Sequence, residues 1–300
     1  MLQKLKRYLS DPYYALGYDL MKICPNVMSD RFYIRTLWRM AMGCDLDLKN
    51  PKTFNEKLQW LKLHDHNPLY TTLVDKLRVK DWVSEKIGAQ YVIPTLATYN
   101  SVDEIDIDKL PNQFVLKCNH DSGSVVVCKD KSTFDLAKVK ETLKQAIKKN
   151  YYWNAREWVY KNIKPCVFAE AYLEDSTSRE LPDYKFFAFD GKVKVLYVTT
   201  ERGSVDVETK FDFFDINFNH IDVTNGHPNS IVKIHKPLCF NEMIKFSEIL
   251  SRDFPHVRVD FYEVDGHVFF GELTFFHMGG FEPFHPTSFD EYLGSFIQLP

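Results

Sequence analysis

Apolar residues recur at helical spacing from Phe54 to His64 and again from Leu69 to Ile87, and Gly88 follows where a helix would stop. Beyond Gly88 the period shortens. Tyr91 to Pro94 predicts a short strand, and Phe114 to His120 a longer one entered from the polar Pro111-Asn112 loop. The small-residue turn Asp121-Ser122-Gly123-Ser124 then leads into Val125 to Cys128, which predicts a hairpin. Ser132 to Lys149 returns to helix, and Cys166 to Leu173 predicts a strand running into the polar stretch Glu174 to Glu180, a hinge or crossover. From Asp183 the chain is strand-rich: Tyr184 to Phe189, an Asp190-Gly191 turn, Val193 to Thr199 and Phe211 to Ile216. A helix is predicted near Asn241 to Ser251, followed by two apolar runs, Val257 to Tyr262 and Val268 to Thr274, flanking Asp265-Gly266.

Composition narrows the class. With 300 residues, 45% hydrophobic and 15% aromatic, the chain can bury a large core divided into two or three subdomains. Its 38 basic and 41 acidic residues leave a net charge of −3, so no global basic field points to nucleic acid and any anion site must be local. Cys24, Cys44, Cys118, Cys128, Cys166 and Cys239 stand singly, without a C-x-x-C pair or an evident signal peptide, which favours reduced thiols in a cytoplasmic protein. No apolar run approaches the roughly 20 residues that cross a bilayer. Met1 to Tyr18 combines Lys4, Lys6 and Arg7 with leucines and tyrosines, and reads either as a cap packed on the fold or as a peripheral membrane segment.

Charge placed inside apolar strands is the strongest chemical signal. Arg258 and Asp260 in one run and Glu272 in the next are costly to bury unless a metal or counter-charge occupies the site. Two carboxylates without soft ligands suit a hard cation such as Mg²⁺ that also takes phosphate oxygens; the alternative is that each is paired to a nearby Lys or Arg. Strand alternation decides whether they can share an ion. A two-residue Asp265-Gly266 turn would set Asp260 against Gly271 and send Glu272 to the other face. We therefore expect a three-residue Asp265-Gly266-His267 loop with Val264 opposite Val268, which brings Asp260 opposite Glu272.

Alternation also puts Lys117 on one face with Val115 and Asn119, beside the Ser122-Gly123-Ser124 loop, where a lysine can meet a phosphate held by loop amides; the alternative is an edge-strand lysine facing water. His120, His277 and His285 have no zinc spacing and read as loop or core residues. P-loop, hydrolase-elbow and Rossmann motifs are absent from the sequence.

In order along the chain stand Asp75-Lys76, Lys117 before its hairpin loop, Glu170, Asp183, then Arg258, Asp260 and Glu272. This order resembles the ATP-grasp fold. Phe54-Asn55-Glu56-Lys57-Leu58-Gln59-Trp60, Val115 to His120, Leu181-Pro182-Asp183-Tyr184-Lys185-Phe186-Phe187 and Gly271-Glu272-Leu273-Thr274 resemble, more narrowly, the TupA-like branch named for teichuronopeptide synthesis.

The resemblance implies an α+β chain with two small lobes, built on antiparallel sheets, that clamp ATP. It divides the sequence into a helical extension (1–53), a preceding subdomain (54–110), a first lobe (111–173) and a second lobe with the metal hairpin (174–300). By position, Lys76 and Lys117 would contact phosphates and the base edge, with amides of Ser122, Gly123 and Ser124 nearby. Glu170, Ala171 and Leu173 would receive adenine, and Asp183 the ribose hydroxyls. Asp260 and Glu272 would ligate Mg²⁺, with Thr274 as a further oxygen. Lys185 would lie close to the phosphates, and Arg258 would stabilise charge on the carboxylate being phosphorylated.

Three departures stand out: Thr274 where many ATP-grasp enzymes carry asparagine, a loop after Lys117 with an acid and little glycine, and the Phe275 to Gly280 stretch in place of a Pro- and Gly-containing loop. The activity implied is an ATP- and Mg²⁺-dependent carboxylate-amine ligase. It would join an amino acid or amine to a sugar carboxylate, free or lipid-linked, in capsule, O-antigen or other surface polysaccharide synthesis, in the cytoplasm or at the inner membrane face. A nucleotide-sugar glycosyltransferase and a catalytically decayed relative are the competing readings.

Overall fold

The computed structural model describes residues 25–176, 178, 180–202 and 208–300. The reading of Met1 to Tyr18, and Cys24, lie outside them. In chain order the main elements are α1 (Asp30–Met42), α2 (Phe54–His64), α3 (Leu69–Val74), α4 (Val79–Ile87), β1 (Thr95–Tyr99), β2 (Phe114–Cys118), β3 (Val126–Cys128) and α5 (Leu136–Ile147). There follow α6 (Tyr152–Ala155), β4 (Val167–Ala171), β5 (Asp183–Phe189), β6 (Lys192–Thr200), β7 (Lys210–Asp215), β8 (His220–Ile221), β9 (Thr224–Asn225), α7 (Phe240–Leu250), β10 (Val257–Val264), β11 (His267–Thr274) and α8 (Ser288–Gly294). No helix among the described residues is long and apolar enough to cross a membrane.

The chain divides into two compact units. One comprises residues 1–66, 152–158 and 276–300. Its α2 starts at Thr53, whose hydroxyl accepts from the Glu56 amide while Glu56 reaches back to the Thr53 amide. Such a capping box contributes about 1 kcal/mol, which is why the helix boundary is sharp. Lys57 Nζ donates to the carbonyls of Gly294 and Ile297, both at 2.8 Å, satisfying the end of α8. Gly294 is required by the approach: a Cβ there would lie 2.2 Å from the Lys52 carbonyl. Lys62 is buried, its ammonium donating to Gln59 Oε1, the Ala155 carbonyl and the Gly279 carbonyl at 2.5–2.9 Å. Burial pulls its pKa down to about 7 against the opposing charge of Glu157.

The other unit comprises residues 67–151 and 159–275 and contains two antiparallel sheets. The four-stranded sheet has the order β1-β4-β2-β3. Its core is Phe114, Leu116, Val167 and Ala169, covered by Leu143 and Ala146 of α5. The six-stranded sheet has the order β11-β10-β5-β6-β7-β8. Phe240 and Phe246 of α7 pack against Phe186 and Phe261 of this sheet, at ring separations of 6.0 and 6.4 Å. The Asp190-Gly191 turn forms as the sequence predicts, with φ of 43° and 74°, and Asp265 and Gly266 adopt the same left-handed pair of conformations, with φ of 49° and 74°.

Three expectations change. The run from Leu69 to Ile87 is two helices, because the Asp75 carboxylate accepts from the amides of Leu77 and Arg78 and turns the chain between α3 and α4. Tyr91 to Pro94 is not a strand: a short 3₁₀ turn covers Ala89–Tyr91, and β1 begins at Thr95. The β10–β11 turn does not recruit His267, since Val264 pairs with His267 across a two-residue turn. A bulge restores the alignment instead. Phe261 pairs with Phe270 and Asp260 with Glu272, so Gly271 has no opposite residue. A Cβ at Gly271 would lie 3.1 Å from the Asp260 carbonyl and 3.3 Å from the Tyr262 ring, crowding that glycine avoids.

Candidate functional site

The charged side chains singled out by the sequence converge within the second unit on a cavity of about 260 Å³, with both sheets contributing to its lining. Lys76, Lys117, Ser122, Gly123, Glu170, Asp183, Lys185, Asp260 and Glu272 all line it. Lys80, Arg202 and Tyr262 line it too, and the sequence reading missed them. Lys80 stands four residues after Lys76, a spacing that could have drawn attention to it; Arg202, two residues past the end of β6, carries no motif.

On the β10 side, Arg258 holds Asp260 through two bonds of 2.7 Å, from Nε to Oδ1 and from Nη2 to Oδ2. The same Nη2 reaches Glu272 Oε1 at 3.1 Å and the Thr274 hydroxyl at 3.0 Å. The two carboxylates therefore share one face. Lys185 from β5, the neighbouring strand, bonds Asp260 and lies 2.5 Å from Asp183 Oδ2. Arg202 Nη1 meets that same Asp183 oxygen at 2.8 Å. Asp183 Oδ1 is buried and has no hydrogen-bond partner among the described residues, leaving an acceptor at the cavity wall.

On the other side, Glu170 is buried in β4 between Lys117, bonded to Oε1, and Lys80, 2.9 Å from Oε2. Lys80 also donates to the Ile93 carbonyl at 2.9 Å. Lys76 joins the two sides, its ammonium donating to the Asp121 carbonyl at 2.6 Å and lying 3.4 Å from Glu272 Oε2. Asn119 fixes the backbone beneath it. Its carbonyl accepts from the Lys76 amide at 3.0 Å, and its side-chain amide donates to Asp75 Oδ2 at 2.9 Å and the Lys164 carbonyl at 3.1 Å. Asn119 Oδ1 accepts from the Cys166 amide at 2.8 Å.

Burial and charge oppose one another throughout. Burial pushes Glu170 up, but Lys117 and Lys80 outweigh it and hold the carboxyl below its usual range. The same balance governs Glu272, where Lys76, Lys185 and Arg258 prevail over burial and hold it well down. Asp260 is different: its burial is complete, and desolvation pushes it up against the pull of Arg258 and Lys185. Burial lowers Lys80 despite Glu170, whereas Asp183 and Asp260 overcome burial to raise Lys185.

Four residues expected at the site, Ser124, Ala171, Leu173 and Thr274, do not line the cavity. The Ser124 hydroxyl accepts from the Cys118 amide at 3.1 Å and donates to Asp121 Oδ1 at 2.5 Å, so it shapes the loop. Ala171 and Leu173 are half-buried and, with Thr274, lie outside the cavity lining. His120 is buried and bonds the Lys149 carbonyl at 3.0 Å.

The cavity's charge indicates what it can hold. Five cations and four carboxylates line it, with Arg258 behind, an excess that suits a polyanion. Among the described residues no cluster of three or more His, Cys, Asp or Glu forms a closed metal cage. Mg²⁺ needs no such cage, since one or two carboxylates and phosphate oxygens suffice. Glu272 fits that part best, its side chain being 34% exposed, whereas Asp260 is fully enclosed and doubly bonded to Arg258.

Comparison with known proteins covers most of the chain. No curated protein matches it in sequence. The D-alanine–D-alanine ligase of Bacillus anthracis complexed with ATP superposes with a TM-score of 0.40 and 16% identity, over 68% of this chain and 55% of that one. The Helicobacter pylori D-alanine–D-alanine ligase gives 0.44 and 13%, over 82% and 69%. N5-carboxyaminoimidazole ribonucleotide synthetase from Thermus thermophilus gives 0.37 and 8%, over 68% and 45%. The chain thus spans little more than half the length of the first of these ligases. The model of one family, TupA-like ATPgrasp, matches residues 56–298, a stretch that includes every charged group lining the cavity; the chain belongs to that family and has its ATP-grasp fold.

Proposed function

We propose that this chain binds ATP with Mg²⁺ and uses it to join a carboxylate to an amine. The carboxylate would be sugar-borne and the amine an amino acid or simple amine, in the synthesis of a surface polysaccharide. The observation that carries the reading is the cation excess around Asp260 and Glu272 in one cavity, in a member of an ATP-grasp family.

Lys76 and Lys117 are the groups for the phosphates, since both line the cavity and hold only carboxylate or carbonyl partners that a phosphate can replace. Arg202 faces the cavity with its side chain half exposed and adds a further cation for phosphoryl oxygens. The unpartnered Asp183 Oδ1 suits a ribose hydroxyl donor. Glu272 is the accessible group for Mg²⁺, which when bound would neutralise charge on the phosphates, and Asp260 opposite it would join only by giving up a bond to Arg258 or Lys185. Arg258, pinned by Asp260, is set to stabilise the carboxylate that takes the phosphoryl group. Amine attack on the acyl phosphate then releases phosphate and forms the amide.

The reading is tested by incubating purified protein with ATP, Mg²⁺ and panels of uronic acids and amino acids. ADP and phosphate release that requires both acceptors supports it. Thermal stabilisation by UDP-sugars but not by ATP would favour the glycosyltransferase reading instead; a ligand at a hundredfold its dissociation constant adds about 2.7 kcal/mol.

A further inference from the structure

Among the described residues of the second unit, the most exposed apolar segment shares no residue with the lining of the charged cavity. Between β9 and α7 the chain reads Ser230-Ile231-Val232-Lys233-Ile234-His235-Lys236-Pro237-Leu238 without regular structure. Ile231 is 99% exposed, Leu238 88% and Val232 65%. Isolated exposed aliphatics are ordinary on a protein surface, but three within eight residues at these values form a concentrated apolar surface.

The exposure is built in, because both ends of the segment are fastened. The Ser230 amide donates to the two Asp212 oxygens at 3.2 and 3.1 Å, and Asn229 Nδ2 donates to the carbonyls of Phe211 and Val223 at 2.7 and 3.0 Å. At the far end the Leu238 and Cys239 amides donate to the Glu263 carboxylate at 3.3 and 2.7 Å. With its ends held by the sheet, the segment stands beside the β7–β8 hairpin across a cleft of about 690 Å³.

Its charge identifies the occupant. No Asp or Glu occurs between Asp222 and Glu242, whereas Lys233 and Lys236 fall inside the apolar stretch, in a chain whose net charge is −3. Asp212 and Glu263, the acids at its base, are already engaged by backbone amides. Pairing of this segment with itself in a second copy about a two-fold axis would set one acid-free, lysine-bearing surface against another, which like-charge repulsion opposes. Nucleic acid would want aromatic platforms for bases rather than aliphatic tips. Aliphatic tips interleaved with lysines match an anionic bilayer, where apolar groups enter the acyl boundary and ammoniums remain among the headgroups.

We propose that Ser230 to Leu238 is an anionic-membrane docking loop, with Ile231, Val232 and Leu238 inserting and Lys233 and Lys236 meeting acidic headgroups. The test is sedimentation of the full chain with phosphatidylcholine vesicles containing or lacking phosphatidylglycerol. Binding should require phosphatidylglycerol and weaken with salt. The pair Ile231→Asp and Val232→Asp should lower partitioning at least about tenfold, and Lys233→Gln or Lys236→Gln about fivefold each at low salt. These variants should keep the thermal stability of the parent, which establishes that the loss is not unfolding. Aspartate variants that partition like the parent would overturn the proposal, as would binding indifferent to phosphatidylglycerol. So would light scattering showing a dimer that Ile231→Asp dissociates.

Discussion

Asp260 stands directly opposite Glu272 because Gly271, the residue before Glu272, is bulged out of the β10–β11 ladder. One unpaired residue offsets the one-residue misalignment that a two-residue turn would otherwise impose, and both carboxylates reach Arg258 from the same face.

Glycine is therefore the residue the bulge requires. Gly271→Val should destabilise the chain by about 1–3 kcal/mol, because the added atoms meet the Asp260 carbonyl and the Tyr262 ring. Nucleotide-dependent turnover should fall further than stability accounts for, with Gly271→Ala intermediate. Denaturant melts alongside ADP-release assays check the pair; a stable Gly271→Val protein with parental turnover would show that the bulge does not position Glu272.

Lys80 and Lys117 act on one carboxylate, so their effects should not add. Lys80→Met leaves buried Glu170 with a single cation and should cost about 1–3 kcal/mol. Adding Glu170→Gln should return part of that loss, giving a coupling of about 1 kcal/mol or more in a double-mutant cycle. Simple additivity would mean that the Lys80–Glu170 pair contributes little.

Acid should weaken the fold through Glu170. Its folded pKa lies below the unfolded value of 4.5, so its contribution is fully present above that value and disappears as pH falls through the folded pKa. Glu170→Gln should flatten the acid limb of a stability-against-pH curve. Glu272, also held low, should leave a residual slope that Glu272→Gln removes.

Arg202→Met should reduce kcat/KM by about a hundredfold if its charge meets the transferring phosphoryl group. Stability should change little, because half of the side chain is exposed and Asp183 retains Lys185. Steady-state kinetics with ATP as the varied substrate, compared with thermal melts, separates the two effects. Chelation by EDTA should abolish turnover in parent and variant alike.

Much of this arrangement was legible because local rules and tertiary structure agree. The extent of α2 follows from the apolar period; Lys117 follows from strand alternation; Arg258, Asp260 and Glu272 stand out as charge within apolar strands, while Glu170, Asp183 and Lys185 are marked only by the family resemblance. What escaped depends on contacts distant in sequence. The bulge at Gly271 trades against turn length, and local spacing is compatible with either solution. The break at Asp75 lies inside a continuous helical period and arises from a side chain bonding its own backbone. Lys80 gains meaning only because Glu170, 90 residues away, lies beside it.

Asn119 shows how such a site can mislead a genetic screen. It lies outside the cavity lining, yet it carries the Lys76 amide on its carbonyl and, through one side chain, ties the Asp75 carboxylate to the backbone at Lys164 and Cys166. A substitution there would keep the carbonyl that holds the Lys76 amide but remove the side-chain bonds to Asp75, Lys164 and Cys166, loosening the turn that precedes Lys76, and would be scored as a nucleotide-binding defect. Ligand-contact mapping would find no contact at Asn119, so the residue would pass for a recognition element while serving only as the mooring of one.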